Sequence, residues 1–322
     1  MRFEQRRRFA VAALLSLALC GCGGISLTRI AANDSRLPPS IELEATPFHP
    51  QVEYQCGPAA LATALGASGV SVAPDELVAK VFVPELRGSL QAEMVAATRG
   101  YDRLAYRVEP SVQGLLAALA DRRPVLVLQN LGVESVPIWH YAVVVGYDAG
   151  RNRLLLRSGR DRRLIMSARR FEGSWRRAKR WGVVVVKPGE LPASATATAY
   201  MEAAAGLEAA NRLDAALAAY RAAAARWPEE SVAVLGIGNV HYRQERLQDA
   251  EADFRAVLEQ EPRHAVARNN LAQVLLEQGR PEEALREIEA ARSSLTDPRF
   301  AEVLAATESA IRAALAERSS QP

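Results

Sequence analysis

The sequence predicts two folded units of different class: an α+β domain over residues 46–190, with helices packed on an antiparallel sheet, and an all-α repeat solenoid over residues 197–296. In the first unit helical patterns come early and strand patterns follow one another, which argues against an alternating α/β fold. After residue 196 the composition turns alanine-rich, and the same residue types return every 34 positions. A length of 322 residues exceeds one average domain, and 49% apolar with 24% charged residues is the balance of a globular chain. The net charge of +3 gives no reason to expect a nucleic-acid partner.

At the N-terminus, Met1 to Arg8 is basic, Phe9 to Leu19 is an apolar run too short to span as a mature helix, and Leu19-Cys20-Gly21-Cys22 sets a small residue before a cysteine. This resembles a bacterial lipoprotein signal, with residues 1–21 as the signal peptide and Cys22 as the lipid acceptor. An uncleaved N-terminal anchor is the alternative. The signal implies a lipid-anchored protein of the cell envelope that faces the periplasm, with the outer membrane as the expected site. Residues 22–45, polar and carrying Pro38-Pro39, are expected as a tether.

Four helices are predicted next: Gly57 to Ala67, Ala73 to Lys80 with Pro74 early, Leu90 to Thr98 behind Ser89 as N-cap, and Val112 to Ala120 behind Ser111. Strands follow at Val125 to Leu128, His140 to Tyr147, Arg153 to Arg157 and Val183 to Val186, short β-branched or aliphatic runs between turn residues. Eleven arginines between Arg151 and Arg180 suggest a solvated strand-and-loop face, or a surface for an acidic partner or substrate. Pro188, Gly189 and Pro192 mark a linker that ends at residue 196, its core being residues 191–196.

Within the solenoid Pro228 and Pro262 stand 34 apart, as do Tyr220 and Phe254, and Ala216, Ala250 and Ala284. Asn211, Glu245 and Gly279 share the turn position. Period and residues resemble tetratricopeptide repeats, three helix-turn-helix units over 197–296, with residues 297–322 as capping helix and tail. Small alanines let paired helices approach and the aromatic fills the gap beside the next repeat.

Once Cys22 is lipidated and Cys20 removed, Cys56 is the one thiol left, so no intramolecular disulfide can form. An exported protein seldom keeps a free thiol without use for it. Cys56 precedes an apolar helical run, where unpaired N–H groups and the helix dipole are expected to lower its pKa. Thiol chemistry needs a base, an orienting group and oxyanion donors. Of the four histidines, His241 and His264 fall in the repeats and His49 lies seven residues before the cysteine; His140, opening a strand, is the natural base. Scattered histidines and one cysteine show no metal-ligand spacing, and no Gly-rich phosphate loop follows a strand; no metal or cofactor is expected.

Gln51 and Gln55 before Cys56-Gly57-Pro58, then Trp139-His140-Tyr141 heading an apolar strand into Gly146-Tyr147-Asp148, resemble the papain-like peptidase family that trims double-glycine leaders in bacteriocin exporters. The resemblance spans roughly residues 46–190 and includes soluble relatives. It implies an α+β papain-like cysteine peptidase domain with Cys56 as nucleophile, His140 as general base and Gln51 as oxyanion donor, although the family usually spaces that glutamine six before the cysteine and not five. The family's third residue, an Asp or Asn after the next strand, matches Ser158, whose hydroxyl can accept from imidazole but brings no charge. Asp148 and Asp161 are substitutes.

The leading reading is an envelope cysteine peptidase whose repeats hold a protein partner or present a peptide or protein substrate. A cysteine amidase or transpeptidase acting on envelope peptides differs only in the acceptor. A non-catalytic peptide-binding scaffold is the reading from another class.

Overall fold

The structure, a computed structural model, describes residues 24–52, 54–295 and 297–319. The signal peptide expected at 1–21 and the lipid acceptor Cys22 lie outside the described residues. No helix among the described residues is long and apolar enough to cross a membrane.

Helix α1 (Leu27–Ala32) and strand β1 (Ser40–Glu42) precede the central helix α2 (Cys56–Ala67). Helix α3 (Pro74–Val81), a two-residue ladder of β2 (Phe82–Val83) with β3 (Gly88–Ser89), and helix α4 (Gln91–Gly100) follow. The rest of the domain is β4 (Leu104–Arg107), α5 (Val112–Ala120), β5 (Val125–Asn130), β6 (Trp139–Asp148), β7 (Arg153–Ser158), β8 (Asp161–Ser167), α6 (Ala168–Arg177) and β9 (Gly182–Val186). The sheet runs β4-β9-β5-β6-β7-β8, and β1 adds to the far end of β6; every pairing is antiparallel. This is the α+β class that the order of patterns predicts.

Helix α2, CGPAALATALGA, is apolar on every side, so it is stable only where every side meets protein. Gly57 to Leu65 are all buried, packed on β6. The helix expected behind Ser89 begins later, at Gln91, with Leu90 as N-cap. Ser89 is drawn instead into the ladder opposite Phe82. Ser111 caps α5 as expected, its hydroxyl accepting from the Gly114 N–H. In the arginine-rich stretch the helix α6 escaped the sequence reading because its buried face, Ala168, Phe171, Ser174 and Trp175, is spaced at helical period among exposed arginines. The short or edge strands β4 and β8 gave no alternating pattern long enough to read.

The expected tether is corrected. From Ile25 to Thr46 the chain is strapped to the domain: Leu27 is fully buried, its N–H donates to Asn152 Oδ1 at 2.9 Å, and the Tyr147 hydroxyl donates to Pro38 O at 2.6 Å. Strand β1 pairs Ser40, Ile41 and Glu42 with Asp148, Tyr147 and Gly146. Its polar composition hides this, because three residues of edge strand are held by backbone hydrogen bonds and not by apolar alternation. A Cβ at Gly146 would sit 2.9 Å from Glu42 Cα and closer still to Ile41 O. Gly146→Ala therefore pushes β1 off the sheet and is expected to destabilise the protein by about 2 kcal/mol, seen as a lowered midpoint in urea unfolding.

The solenoid has three helix pairs: α7 (Ala197–Ala209) with α8 (Leu213–Arg226), α9 (Ser231–Arg243) with α10 (Leu247–Gln260), and α11 (Ala265–Glu277) with α12 (Pro281–Ser293), followed by α13 (Ala301–Ser319). Asn211, Glu245 and Gly279 take left-handed φ values of 58°, 60° and 75° at the turns, where a chain reversing after a helix needs φ above zero. The Tyr220 and Phe254 rings pack where Gly236 and Gly238 carry no Cβ. One apolar core runs from the sheet into the first repeat, with α7 packed on β4 and the Arg212 guanidinium donating to Gly100 O at 3.0 Å.

Candidate active site

Cys56 is the first residue of α2, as its position before an apolar run predicts. The chain reaches it through Tyr54, held left-handed at φ 61°, and Gln55, whose side chain makes no capping bond. Upstream, the Gln51 N–H donates to Gly159 O at 2.9 Å and ties this entry loop to the end of β7. Gly57 has no alternative: a Cβ there would lie 2.6 Å from Ser89 Cβ, so the β2–β3 ladder closes directly over the start of the helix.

His140 is the second residue of β6, paired with Gln129 of β5. On the other side of β6, Val143 pairs with Arg157; one step further that register sets Ser158 opposite Ala142, on the face His140 occupies. The His140 Nε2 to Ser158 Oγ distance is 2.8 Å. Arg157 anchors this corner, its buried guanidinium donating to the carbonyls of Glu44, Thr46 and Arg162.

The sulfur is set against the strand that carries the imidazole. The Cys56 sulfur faces the backbone N–H of Tyr141, the residue after His140, together with those of Gly57 and Cys56 itself. The lowered thiol pKa expected from the helix start is corrected. Burial pushes the Cys56 thiol up from its ordinary value, and the three N–H groups pull it down by less. Burial also pulls His140 below the usual imidazole range. Desolvation penalises both charged forms, so it favours neutral thiol and neutral imidazole over the ion pair.

Both residues open onto a cavity of 1170 Å³. Gln51 lines it beside them, with its Oε1 buried and without a hydrogen-bond partner among the described residues. Gln55 does not line it. Cys56, His140, Gln51 and Ser158 are thus brought together by three elements and one loop. Asp148 is not: it lies at the other end of β6, about 25 Å away at a strand's rise per residue, with its carboxylate on the Arg151 N–H and the Arg153 guanidinium. That correction leaves Ser158 as the imidazole's partner, since Asp161, exposed and paired with Ser158 across the β7–β8 turn, has no side-chain hydrogen bond to His140 or Ser158. Sequence reasoning missed Ser89, whose buried hydroxyl has no partner among the described residues, and the cavity walls formed by residues 86–91, Leu131 and residues 137–139. Exposed Leu86, Leu90, Leu131, Ile138 and Trp139 were the available signal, apolar side chains in segments with no packing role.

Residues 42–183 match the model of the Peptidase_C39 like family, and residues 201–256 and 235–297 match a tetratricopeptide repeat model. The chain carries a Peptidase C39-like domain followed by tetratricopeptide repeats. Both resemblances read from the sequence agree with this. No curated protein matches the chain. Similar solved structures include the Yersinia enterocolitica type III secretion chaperone SycD in complex with a peptide of the translocator YopD, at 17% identity and a TM-score of 0.35 over 37% of this chain and 92% of that one. The TPR2B domain of yeast Sti1, from its pHsp70 complex, is similar at 17% identity and a TM-score of 0.34 over 36% of this chain and 95% of that one.

Proposed function

We propose that the protein is a cysteine peptidase whose repeats dock a protein partner or the substrate. The observation that carries this is the His140–Ser158 contact at 2.8 Å, which turns Nε2 away and leaves Nδ1 as the nitrogen free to take the proton of the nearby thiol. In the tautomer that donates Nε2–H to Ser158, Nδ1 is unprotonated, the form a base requires.

The chemistry follows from these groups. The Cys56 sulfur adds to the peptide carbonyl carbon as His140 takes its proton, and the carbonyl oxygen becomes an oxyanion beside the Gln51 amide and the Cys56 N–H. His140 returns the proton to the departing amine, the C–N bond breaks and a thioester remains. Water, deprotonated by His140, then releases the acid and regenerates the thiol. Neutral starting groups mean that charge separation arises within the step and not before it. Residues 1–22 support a lipid anchor at Cys22 on the periplasmic face of the envelope, which would hold the peptidase and its repeats at that surface.

A serine where the family carries a carboxylate or carboxamide favours a second reading, a domain that binds peptide without cutting it. Incubation with a peptide vinyl sulfone separates the two. A covalent adduct at Cys56 in the intact mass, absent in Cys56→Ala and much slower to form in His140→Ala, is the peptidase result. An unmodified wild-type protein whose Cys56 still reacts with iodoacetamide would assign the domain to binding.

A further inference from the structure

The described walls of the cavity around Cys56 are one-sided in charge. Arg87, Arg160, Arg177 and Lys179 line it, and no Asp or Glu does among the described residues. They stand on three different walls: Arg87 on the β2–β3 turn, Arg160 just past Ser158, Arg177 and Lys179 at the end of α6. Arg160 and Lys179 are exposed, and their side chains have no hydrogen-bond or ion-pair partner among the described residues. This is unlike the neighbouring Arg163 and Arg180, which are spent on Glu42 and Glu172. The Arg177 guanidinium is fixed by donating through Nε and Nη2 to Asn130 O at 3.2 and 2.8 Å. Arg87 lies over the Tyr54 ring at 5.6 Å.

Tyr54, Arg87 and Lys179 are all held left-handed, at φ 61°, 46° and 53°, positions where glycine would be easier. Lys179 takes this conformation in the turn just past α6, as does Arg180 beside it, and Arg87 takes it at the end of the turn over residues 84–86; each of the three contributes a cation or the ring beneath one. Between the charges the walls are apolar and exposed, Leu86 at 60%, Ile138 at 58% and Trp139 at 54%. A cleft of this kind concentrates field lines from one sign of charge over low-dielectric walls.

We infer that the substrate is an acidic peptide, one that carries Asp or Glu side chains on both sides of an apolar stretch at the scissile bond. The inference rests on the peptidase reading for its turnover assay alone. Carboxylates flanking the bond meet Arg160 on the Ser158 side, and Arg177 and Lys179 on the opposite wall, while the apolar stretch covers Ile138 and Trp139. Basic peptides are repelled at the mouth before they reach the thiol.

The test uses the full chain and three quenched-fluorescence peptides with one apolar centre, flanked by Glu, Gln or Lys. Wild-type kcat/KM is expected to favour the Glu peptide over the Lys peptide by about tenfold or more, with the preference shrinking as salt rises from about 50 mM to about 0.5 M. The double variant R160E/K179E is expected to reverse the order of Glu and Lys peptides. Equal turnover of the three peptides, or a preference that the double variant keeps, overturns the inference. If none is cleaved, the peptidase reading has failed and fluorescence anisotropy with Cys56→Ala decides charge separately: tighter binding of the Glu peptide supports an acidic ligand, and equal binding overturns it.

Discussion

Cys56→Ala is expected to lower kcat/KM for any cleaved peptide by about 10⁴-fold or more, to the background of the assay, with the midpoint of urea unfolding almost unchanged. In the proposed reaction the sulfur is the attacking atom, and Cys56 is the free cysteine of the described residues, so nothing else at the helix start would form the thioester. Its loss leaves Gln51, His140 and the N–H groups of Tyr141 and Gly57 in place around an empty methyl. Those groups can still bind and polarise a carbonyl, which is why the variant should retain peptide affinity while turnover disappears. The side chain is small and partly buried, and its removal opens little volume, so stability is not the route by which activity is lost. Hydrolysis that persists in purified Cys56→Ala would assign the nucleophile elsewhere and end the reading.

His140→Ala is expected to cost about 10³-fold in kcat/KM and to change the form of the pH profile. The sign follows from the two buried groups. Because burial lowers the His140 pKa, its neutral, base-competent form persists below the ordinary imidazole value of about 6.5, and activity falls only as pH drops through that lowered value. Because burial raises the thiol, activity does not depend on a standing thiolate and holds as pH rises through neutrality. A pre-ionised thiolate–imidazolium pair would behave oppositely and lose activity as the imidazolium deprotonates. Without His140 the acid limb should vanish, and residual activity should climb with pH above about 8.5 as the thiol ionises unaided. Ser158 tunes this limb. Ser158→Ala, which removes the 2.8 Å contact, is expected to lower kcat/KM about tenfold with the limb still below 6.5. Ser158→Asp brings a negative charge to Nε2, stabilises imidazolium and should move the limb upward past about 6.5. An acid limb indifferent to Ser158→Asp would show that the serine does not orient the base.

The two resemblances are local matters, and locality explains why they could be read. A proline, an aromatic and an alanine returning every 34 positions, and a cysteine at the head of an apolar run, are statements about residues near one another in the chain. Helix starts at Cys56 and Val112, and the turn positions at Asn211, Glu245 and Gly279, were legible for the same reason. The strap from Ile25 to Thr46 was not, since its anchors Tyr147 and Asn152 lie more than a hundred residues away and its own composition is that of a linker. Asp148 shows the reverse error. It is close to His140 in sequence, yet a strand is extended, and eight residues along β6 carry a side chain out of reach.

The sequence by itself determined the class of each unit and the repeat period, and it singled out the candidate nucleophile and base, because hydrophobic period and residue chemistry act over a few neighbouring positions. Tertiary structure alone decided which group holds the imidazole, how far the thiol is buried, and which cations face the cavity. Those depend on antiparallel register and on burial, and both arise when segments far apart in the chain are packed together. The thiol is the clearest case: the helix start favours its ionisation locally, and the packing around it takes away enough water for burial to outweigh that effect.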